Sequence, residues 1–236
     1  LPKNTDSPVA RLDAITEAIN THIFRKGPQA FGLPAALTGS GMVFEFELFR
    51  ELMLGCEAIG GFDKELELKL ARREISVLYD DKAVVFDEKV NSALALSAQR
   101  SRWMGAQWHF ARKFVPAAIR EFSQSGNIPY LSKALQMLVP PRVLILMGSL
   151  AGIILGDLVG SDGLVAAWGV CFLGTAVAML ISIPRDHLWM LVRDIFHLPV
   201  VVLAYLGGLM RSGTANRSFI HTRHTPRGTP EFRKMR

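Results

Sequence analysis

A run of 20 uncharged residues, 164–183, limits the folds open to this chain more than any other feature. An α-helix rises about 1.5 Å per residue, so the run would cover about 30 Å, the thickness of the hydrocarbon core of a bilayer. A buried helix pair in a soluble protein is the alternative, but it does not require so long a stretch without charge. The run therefore predicts a membrane-spanning helix.

Two further apolar runs flank this segment. Residues 143–159 carry one charge, Asp157, near their end, and together with 164–183 they predict a helical hairpin. The loop between them contains no Lys or Arg, as expected on the non-cytoplasmic side of a membrane. Residues 195–210 contain Pro199 and would cover only about 24 Å. We therefore expect an interfacial or re-entrant segment there, with a tilted third span as the open alternative.

The positive charge of the chain is concentrated at its C-terminal end. Residues 211–236 hold seven Lys or Arg against one acid, whereas the rest of the chain has 20 of each. A charge-balanced body does not predict a nucleic-acid-binding face. A basic tail beside apolar helices instead fits anionic membrane lipids on the cytoplasmic side. His221 and His224 in this tail have no acid or cysteine beside them, so we expect no zinc site.

Residues 1–138 have the pattern of an α/β domain. Apolar residues at three- and four-residue steps predict a helix over 8–24, capped by Asp6 or Ser7 and ended by Gly27-Pro28. Short segments rich in β-formers predict strands at 42–46, 75–79 and 83–86. The sequence thus predicts three parts, which are an α/β part (1–138), membrane-associated helices (139–210) and a basic tail (211–236).

Asp63 is the most informative acid in the first part. Gly60-Gly61 precedes it and an amphipathic helix follows, so Asp63 can cap that helix. A helix N-terminus also favours the ionised carboxylate, the form that acts as a general base. The two roles are compatible, and both stay open at this point. Glu65 and Glu67 on the same helix are expected to be solvated or salt-bridged.

A second cluster, the QRSRW segment, contains Gln99, Arg102 and Trp103 on a predicted helix. Spacings of three and four residues can place these side chains on one side of the helix. The planar guanidinium of Arg suits a diphosphate, and the Trp ring offers a surface on which a sugar can stack. Gln adds neutral hydrogen bonds. A solvated helix face is the alternative for the neighbouring basic residues.

Two weaker signals accompany these clusters. Gly39, Ser40 and Gly41 form a loop whose backbone can approach a ligand or a neighbouring strand, although a plain tight turn explains it equally well. Asp80 and Asp81 are adjacent acids between two predicted strands, a pattern more typical of a turn than of a metal site. We therefore predict no metal site in this chain.

In this order, the motifs resemble those of a known family. GSGMVF, GFDKELELKL, AVVFDEKV and QRSRW, followed by apolar helices and FIHTRHT, are similar to the membrane-bound family 2 glycosyltransferases. These include the cellulose, hyaluronan and chitin synthases and many bacterial exopolysaccharide enzymes. The likeness covers nearly the whole chain. Its most specific part is the Asp-x-Glu helix followed by QxxRW.

The resemblance implies a GT-A catalytic fold that transfers a sugar, with inversion, from a nucleotide-diphosphate sugar to a saccharide or lipid-linked acceptor. Asp63 would be the base that deprotonates the acceptor hydroxyl. The QRSRW residues would contact the donor diphosphate and the acceptor sugar, and the Gly39–Gly41 loop would line the acceptor side. The enzyme would serve polysaccharide synthesis in a bacterial inner membrane, with its catalytic part in the cytoplasm.

The chain departs from the family pattern in two places. Phe62 stands where the family often has the Glu of Thr-Glu-Asp. The family's donor site, with a DxD motif that holds Mg²⁺ or Mn²⁺, has no counterpart in residues 1–138. We therefore expect a nucleotide-binding half to precede Leu1, so that 1–138 would be the acceptor-side part of an incomplete GT-A domain. The isolated chain would then be inactive.

Two other function classes stay open on this evidence. The chain could be a non-catalytic membrane subunit that binds a polysaccharide or a partner protein, and a DxD-bearing segment upstream would argue against that. It could also be a small integral membrane protein with a cytosolic regulatory domain. A sugar-transfer assay on membranes would separate that class from a glycosyltransferase.

Overall fold

The computed structural model describes residues 2–57 and 60–213 of the 236-residue chain. Within these residues the chain is mostly helical. The helices are α1 (Pro8–Thr21), α2 (Gly27–Ala30), α3 (Phe46–Leu54), α4 (Phe62–Arg72), α5 (Ala93–Ser125), α6 (Ile128–Gln136), α7 (Arg142–Leu158), α8 (Asp162–Ile181), α9 (Arg185–Asp194) and α10 (Leu198–Arg211). A π-helical turn (His22–Lys26) joins α1 to α2, and a 3-10 turn (Ile195–His197) joins α9 to α10. Most of the basic tail, including His221 and His224, lies outside the described residues.

Helix α1 begins where the sequence predicts, and the helical run that it starts continues through the π-helical turn and α2 to Ala30, beyond the predicted end. Ser7 is the N-cap, and its Oγ accepts a hydrogen bond from Ala10 N at 3.1 Å. Gly27-Pro28 does not end the helical run, because Pro28 lies in the first turn of α2, where its missing N–H has no intrahelical partner to lose. The chain leaves the helix at Gly32, whose φ of 72° is left-handed and favours glycine.

The structure describes all residues of the three predicted strands, 42–46, 75–79 and 83–86, and none of these segments is a strand. Apart from Phe46 at the start of α3 they are irregular backbone, and the described β-structure is one isolated bridge between Pro2 and Asp87. A strand is stable only when neighbouring strands take up its backbone N–H and C=O groups. A single bond from Ala35 N to Val77 O, at 2.9 Å, does not form a ladder. The described residues therefore do not support the predicted α/β class.

Helices α4 and α5 form the centre of the first part of the chain. With 33 residues, α5 is about 50 Å long, packs against α4 and α6, and pairs through Arg100 with Asp13 on α1. On one side of α4, Leu68 joins Phe110 and Tyr130 in an apolar cluster with α5 and α6. Leu66 and Leu70 point to the other side, into a second cluster with α3 and the preceding loop. The position of α4 is thus fixed from two sides.

The predicted helical hairpin is formed by α7 and α8. These helices pack along each other, and small residues of α7 allow the close approach. A Cβ built on Gly152 would lie 2.5 Å from the indole of Trp168, and one on Gly156 would lie 2.9 Å from the backbone nitrogen of Val165. Any side chain at Gly152 would therefore push the two helices apart.

Among the residues that the structure describes, two helical segments, Asp162–Ile181 and Arg185–Arg211, are long and apolar enough to cross a membrane by length and composition. The second joins α9, the 3-10 turn and α10 into 27 residues, about 40 Å. Residues 195–210 are therefore not too short to cross a bilayer, because α9 extends the helical segment that contains them. Pro199 does not interrupt it, since it lies in the first turn of α10. Helix α7, with 17 residues, covers about 25 Å.

The last apolar helix packs on the helix that carries QRSRW. A Cβ built on Gly208 of α10 would lie 3.0 Å from Met104 Cε and 3.2 Å from Arg100 Cβ on α5. Arg11 on α1 binds Asp194 at the end of α9 with two bonds, at 2.5 and 2.8 Å. The predicted first and second parts of the chain therefore share a core and a buried ion pair.

Candidate functional site

Asp63 lies in the first turn of α4, at the helix start that the sequence predicts. The N-cap is Gly61, with a φ of 73°, and Asp63 is the second helical residue, so the prediction that it caps the helix is wrong. Burial raises the pKa of the Asp63 carboxyl, and Glu67 adds to the rise, while Lys64 and nearby backbone N–H groups oppose it. A carboxylate with a raised pKa is a stronger proton acceptor than one in water.

The N-terminus of α4 rests directly on α5. A Cβ built on Gly61 would lie 2.9 Å from the Cβ of Ala106 and 3.4 Å from Phe110 Cε2. Ala106 follows Trp103 by three residues, about one helical turn, so both can lie on the same side of α5. The first turn of α4 therefore contacts α5 about one helical turn away from the QRSRW segment.

The Gly39–Gly41 loop lies beside Asp63. A Cβ built on Gly39 would be 3.8 Å from the carboxyl carbon of Asp63, and one on Gly41 would be 2.7 Å from Val85 Cγ2. Both glycines have left-handed φ angles, 77° and 62°, which favour glycine. The loop is therefore a tight turn and also a close backbone approach, and its neighbour is the acid singled out in the sequence.

Trp103 contacts Arg100, one of the basic residues for which a solvated helix face was the alternative. The Arg100 guanidinium lies 4.1 Å from the centre of the Trp103 ring and 5.2 Å from that of Tyr205, and it also pairs with Asp13 on α1. Arg100 and Asp13 are both buried. Trp103 itself is 52% exposed. One part of the ring is thus fixed by a cation, and about half of its surface stays open.

The other two candidate residues of the QRSRW segment, Gln99 and Arg102, are partly buried. Within the described residues, the side-chain oxygen of Gln99 is buried and accepts no hydrogen bond. An unsatisfied buried amide oxygen costs free energy unless another donor reaches it. Burial lowers the pKa of Arg102, whose guanidinium nonetheless stays charged at neutral pH. These groups could offer an acceptor and a cation to a polar ligand beside Trp103.

Buried carboxylates on α4 are the features that sequence reasoning missed. Glu65 and Glu67 are each 1% exposed, so the prediction that they are salt-bridged is confirmed and the solvated alternative is wrong. Glu65 pairs with Lys69, and Glu67 pairs with Lys64 and Lys133. The spacings of three and four within α4 were visible in the sequence. The contact with Lys133 on α6 depends on the fold.

The described residues offer no site that fits a divalent cation. In residues 2–57 and 60–213, no three His, Cys, Asp or Glu side chains are grouped so that they could hold a metal. Asp81 pairs with Lys26 at 2.7 Å, and Asp80 accepts the backbone N–H of Lys82 at 2.8 Å. These contacts are typical of a surface turn that is stabilised by one ion pair and one hydrogen bond. We therefore assign no chemical step to a metal at these residues.

Comparisons of the chain with protein-family models, with curated proteins and with solved structures find no match. The interpretation of the site therefore depends on its geometry and its residue types. The roles of Asp63, the QRSRW residues and the Gly39–Gly41 loop stay predictions.

Proposed function

We propose that this chain is the acceptor side of a membrane-associated inverting glycosyltransferase, which moves a sugar from a nucleotide-diphosphate sugar to a saccharide or lipid-linked acceptor. One observation carries the proposal. At the first turn of α4, Gly39 borders the carboxyl of Asp63, and Gly61 packs that turn against Ala106 of α5, about one helical turn along α5 from Trp103.

The proposed chemistry at this point is a single displacement. Asp63 takes the proton of the acceptor hydroxyl while the oxygen of that hydroxyl attacks the anomeric carbon of the donor sugar. The nucleoside diphosphate leaves from the opposite face of that carbon. The pKa of Asp63, raised by burial, strengthens it as a base, and the nearby Lys64 favours its ionised form. Arg102 keeps its positive charge at neutral pH, so it can stabilise the negative charge that develops on the departing diphosphate.

The remaining residues would bind and orient the sugars. The open part of the Trp103 ring offers a stacking surface, and the contact with Arg100 limits the ring's rotation. Gln99 offers a carbonyl oxygen that lacks a partner among the described residues, which suits a sugar hydroxyl. The nucleotide and a Mg²⁺ or Mn²⁺ ion would be held by a nucleotide-binding half with a DxD motif.

The proposed location is a bacterial inner membrane, with the site on its cytoplasmic face. Helix α5 carries QRSRW and packs on α10, part of a segment apolar enough to cross a bilayer. A site held in this way would act close to lipid, which suits synthesis of a polysaccharide or transfer to a lipid-linked saccharide.

The test is sugar transfer by membranes that carry this chain together with its nucleotide-binding half. Labelled nucleotide-diphosphate sugars are supplied, and incorporation and donor binding are measured separately. Asp63→Asn should lower transfer by on the order of 10²–10⁴-fold with donor binding retained, because it removes only the proton acceptor. Glu47→Gln is the matched control, since Glu47 is an exposed acid in the first turn of α3.

Each outcome decides something. Retained transfer by Asp63→Asn would remove Asp63 from the base role. Polymer binding without transfer from any donor would favour a non-catalytic membrane subunit. Absence of both polymer binding and transfer would favour a membrane protein with a regulatory domain.

A further inference from the structure

A buried ion cluster lies four residues along α4 from Asp63. Glu67 is 1% exposed and Lys133, from α6, is 0% exposed. Lys64 Nζ lies 3.0 Å from Glu67 Oε2, and Lys133 Nζ lies 3.0 Å from Glu67 Oε1. Burial by itself raises the pKa of Glu67, but the two lysines outweigh it and leave that pKa below its usual value. The carboxylate is thus ionised at neutral pH.

The cluster holds both backbone groups of one loop residue. Leu37 N donates to Glu67 Oε2 at 2.9 Å, and Lys64 Nζ donates to Leu37 O at 3.0 Å. Leu37 is itself buried, so these two bonds replace water for groups that need partners. The loop is therefore attached to α4 at Leu37 by charge-assisted hydrogen bonds, which are stronger than neutral ones.

This attachment point is two residues before Gly39, the glycine that borders Asp63. Between them, Thr38 Oγ1 donates to Ser40 O at 2.8 Å and closes the turn. Asp63 and Glu67 are four apart in α4, so they share one side of the helix. The same helix face therefore presents the acid and holds the loop that faces it.

A buried ion cluster stabilises the packing of two elements less than apolar residues would. Removing charges from water costs free energy that apolar residues of similar size would not incur, so such clusters contribute geometry more than stability. We propose that Glu67 with Lys64 and Lys133 is a positioning cluster, which fixes the Gly39–Gly41 loop at the distance from Asp63 that an acceptor hydroxyl requires. This inference rests on the proposed function and deepens it on the acceptor side.

The first test measures the loop directly and requires no activity. Hydrogen exchange of the peptide containing Leu37–Gly41 is followed in the full chain in lipid nanodiscs. Glu67→Gln should speed exchange there by roughly tenfold or more, because the N–H of Leu37 loses a charged acceptor. Glu65→Gln is the matched control. Glu65 has the same 1% exposure on the same helix, but it accepts the N–H of Glu57 at 3.1 Å, away from the loop.

The second test separates positioning from packing. Glu67→Gln should lower kcat by on the order of 10²-fold, the effect of a displacement of about 1 Å, with the KM for the donor unchanged. Glu67→Gln leaves Lys133 buried without a charged partner, and adding Lys133→Met removes that charge. The double variant should therefore regain thermal stability, but neither loop protection nor kcat.

The opposing outcomes are distinct. Equal exchange in Glu67→Gln and Glu65→Gln would refute the attachment of the loop. Full recovery of kcat together with stability in the double variant would show that the cluster acts only in packing. No transfer by the wild-type enzyme would overturn the proposed function, while the exchange comparison would still decide whether the cluster holds the loop.

Discussion

Replacing Gly61 with alanine should disturb the point on which the candidate site depends. Gly61 has a φ of 73° and is the N-cap of α4, two residues before Asp63. An added Cβ would lie 2.9 Å from the Cβ of Ala106, closer than real Cβ contacts allow. The substitution adds one methyl group. The backbone at the start of α4 and the contact of this helix with Ala106 of α5 cannot then both keep their present geometry.

The expected cost has two parts. A residue with a Cβ in the left-handed region loses about 1–2 kcal/mol relative to the right-handed region. Relief of the contact with Ala106 requires a backbone shift, and overpacking of this kind costs about 1–3 kcal/mol. The free energy of unfolding should therefore fall by about 2–5 kcal/mol. At roughly 2–4 °C per kcal/mol for a protein of this size, the Tm should fall by about 4–20 °C.

The assay is thermal unfolding in mild detergent, followed by far-ultraviolet circular dichroism. Gly60→Ala is the matched control, because the preceding glycine is not left-handed and no described atom lies within 4 Å of a Cβ added there. A double-mutant cycle of Gly61→Ala with Ala106→Gly isolates the contact. The interaction energy should be about 1–3 kcal/mol, with the conformational cost remaining.

Two results would refute this reasoning. If Gly60→Ala and Gly61→Ala have the same Tm, Gly61 is neither strained nor in contact with α5. If the cycle gives no interaction energy, α4 is not seated on Ala106, and the observation that carries the proposed function is lost.

Two further predictions concern the charge at Asp63 and the apolar hairpin. If Asp63 is the base, as proposed, Lys64→Gln should move the acidic limb of the kcat/KM profile to higher pH, because Lys64 lowers the pKa of Asp63 and a carboxyl base acts only when ionised. A limb that stays in place or moves to lower pH would contradict this. Gly152→Ala should weaken the hairpin by about 1–3 kcal/mol, because its Cβ would overlap Trp168. Gly148→Ala, one turn earlier on the same helix and with no atom within 4 Å of the added Cβ, should not weaken it. An SDS titration followed by circular dichroism compares the two, and equal midpoints would contradict the packing argument.

The sequence alone was sufficient where one local property decides the structure. The uncharged run at 164–183 predicts α8, because a long stretch without charge favours a single helical element long enough for a bilayer. Ser7 is the N-cap of α1, because a side-chain oxygen at that position satisfies a free backbone N–H. The placement of QRSRW on a helix also follows from local pattern.

Local sequence pattern gave wrong predictions where the structure of a segment depends on other parts of the chain. The segments at 75–79 and 83–86 contain strand-forming residues, but a strand also requires neighbours, and the described residues supply none. Likewise, Gly27-Pro28 is a helix-ending pair in isolation, yet the helical run continues because Pro28 starts a new helical segment. In both cases the intrinsic preference was real and the context overrode it.

At the candidate site, too, some features follow from the sequence and others only from the tertiary structure. The sequence identified Asp63, the glycine loop and the QRSRW residues by their chemical types, and these are properties of single residues or short spacings. Only the tertiary structure placed Gly39 against Asp63, Arg100 against Trp103, and Lys133 against Glu67. Such contacts depend on how α4, α5 and α6 pack, and burial then turns ordinary charged side chains into an ion cluster with a fixed geometry.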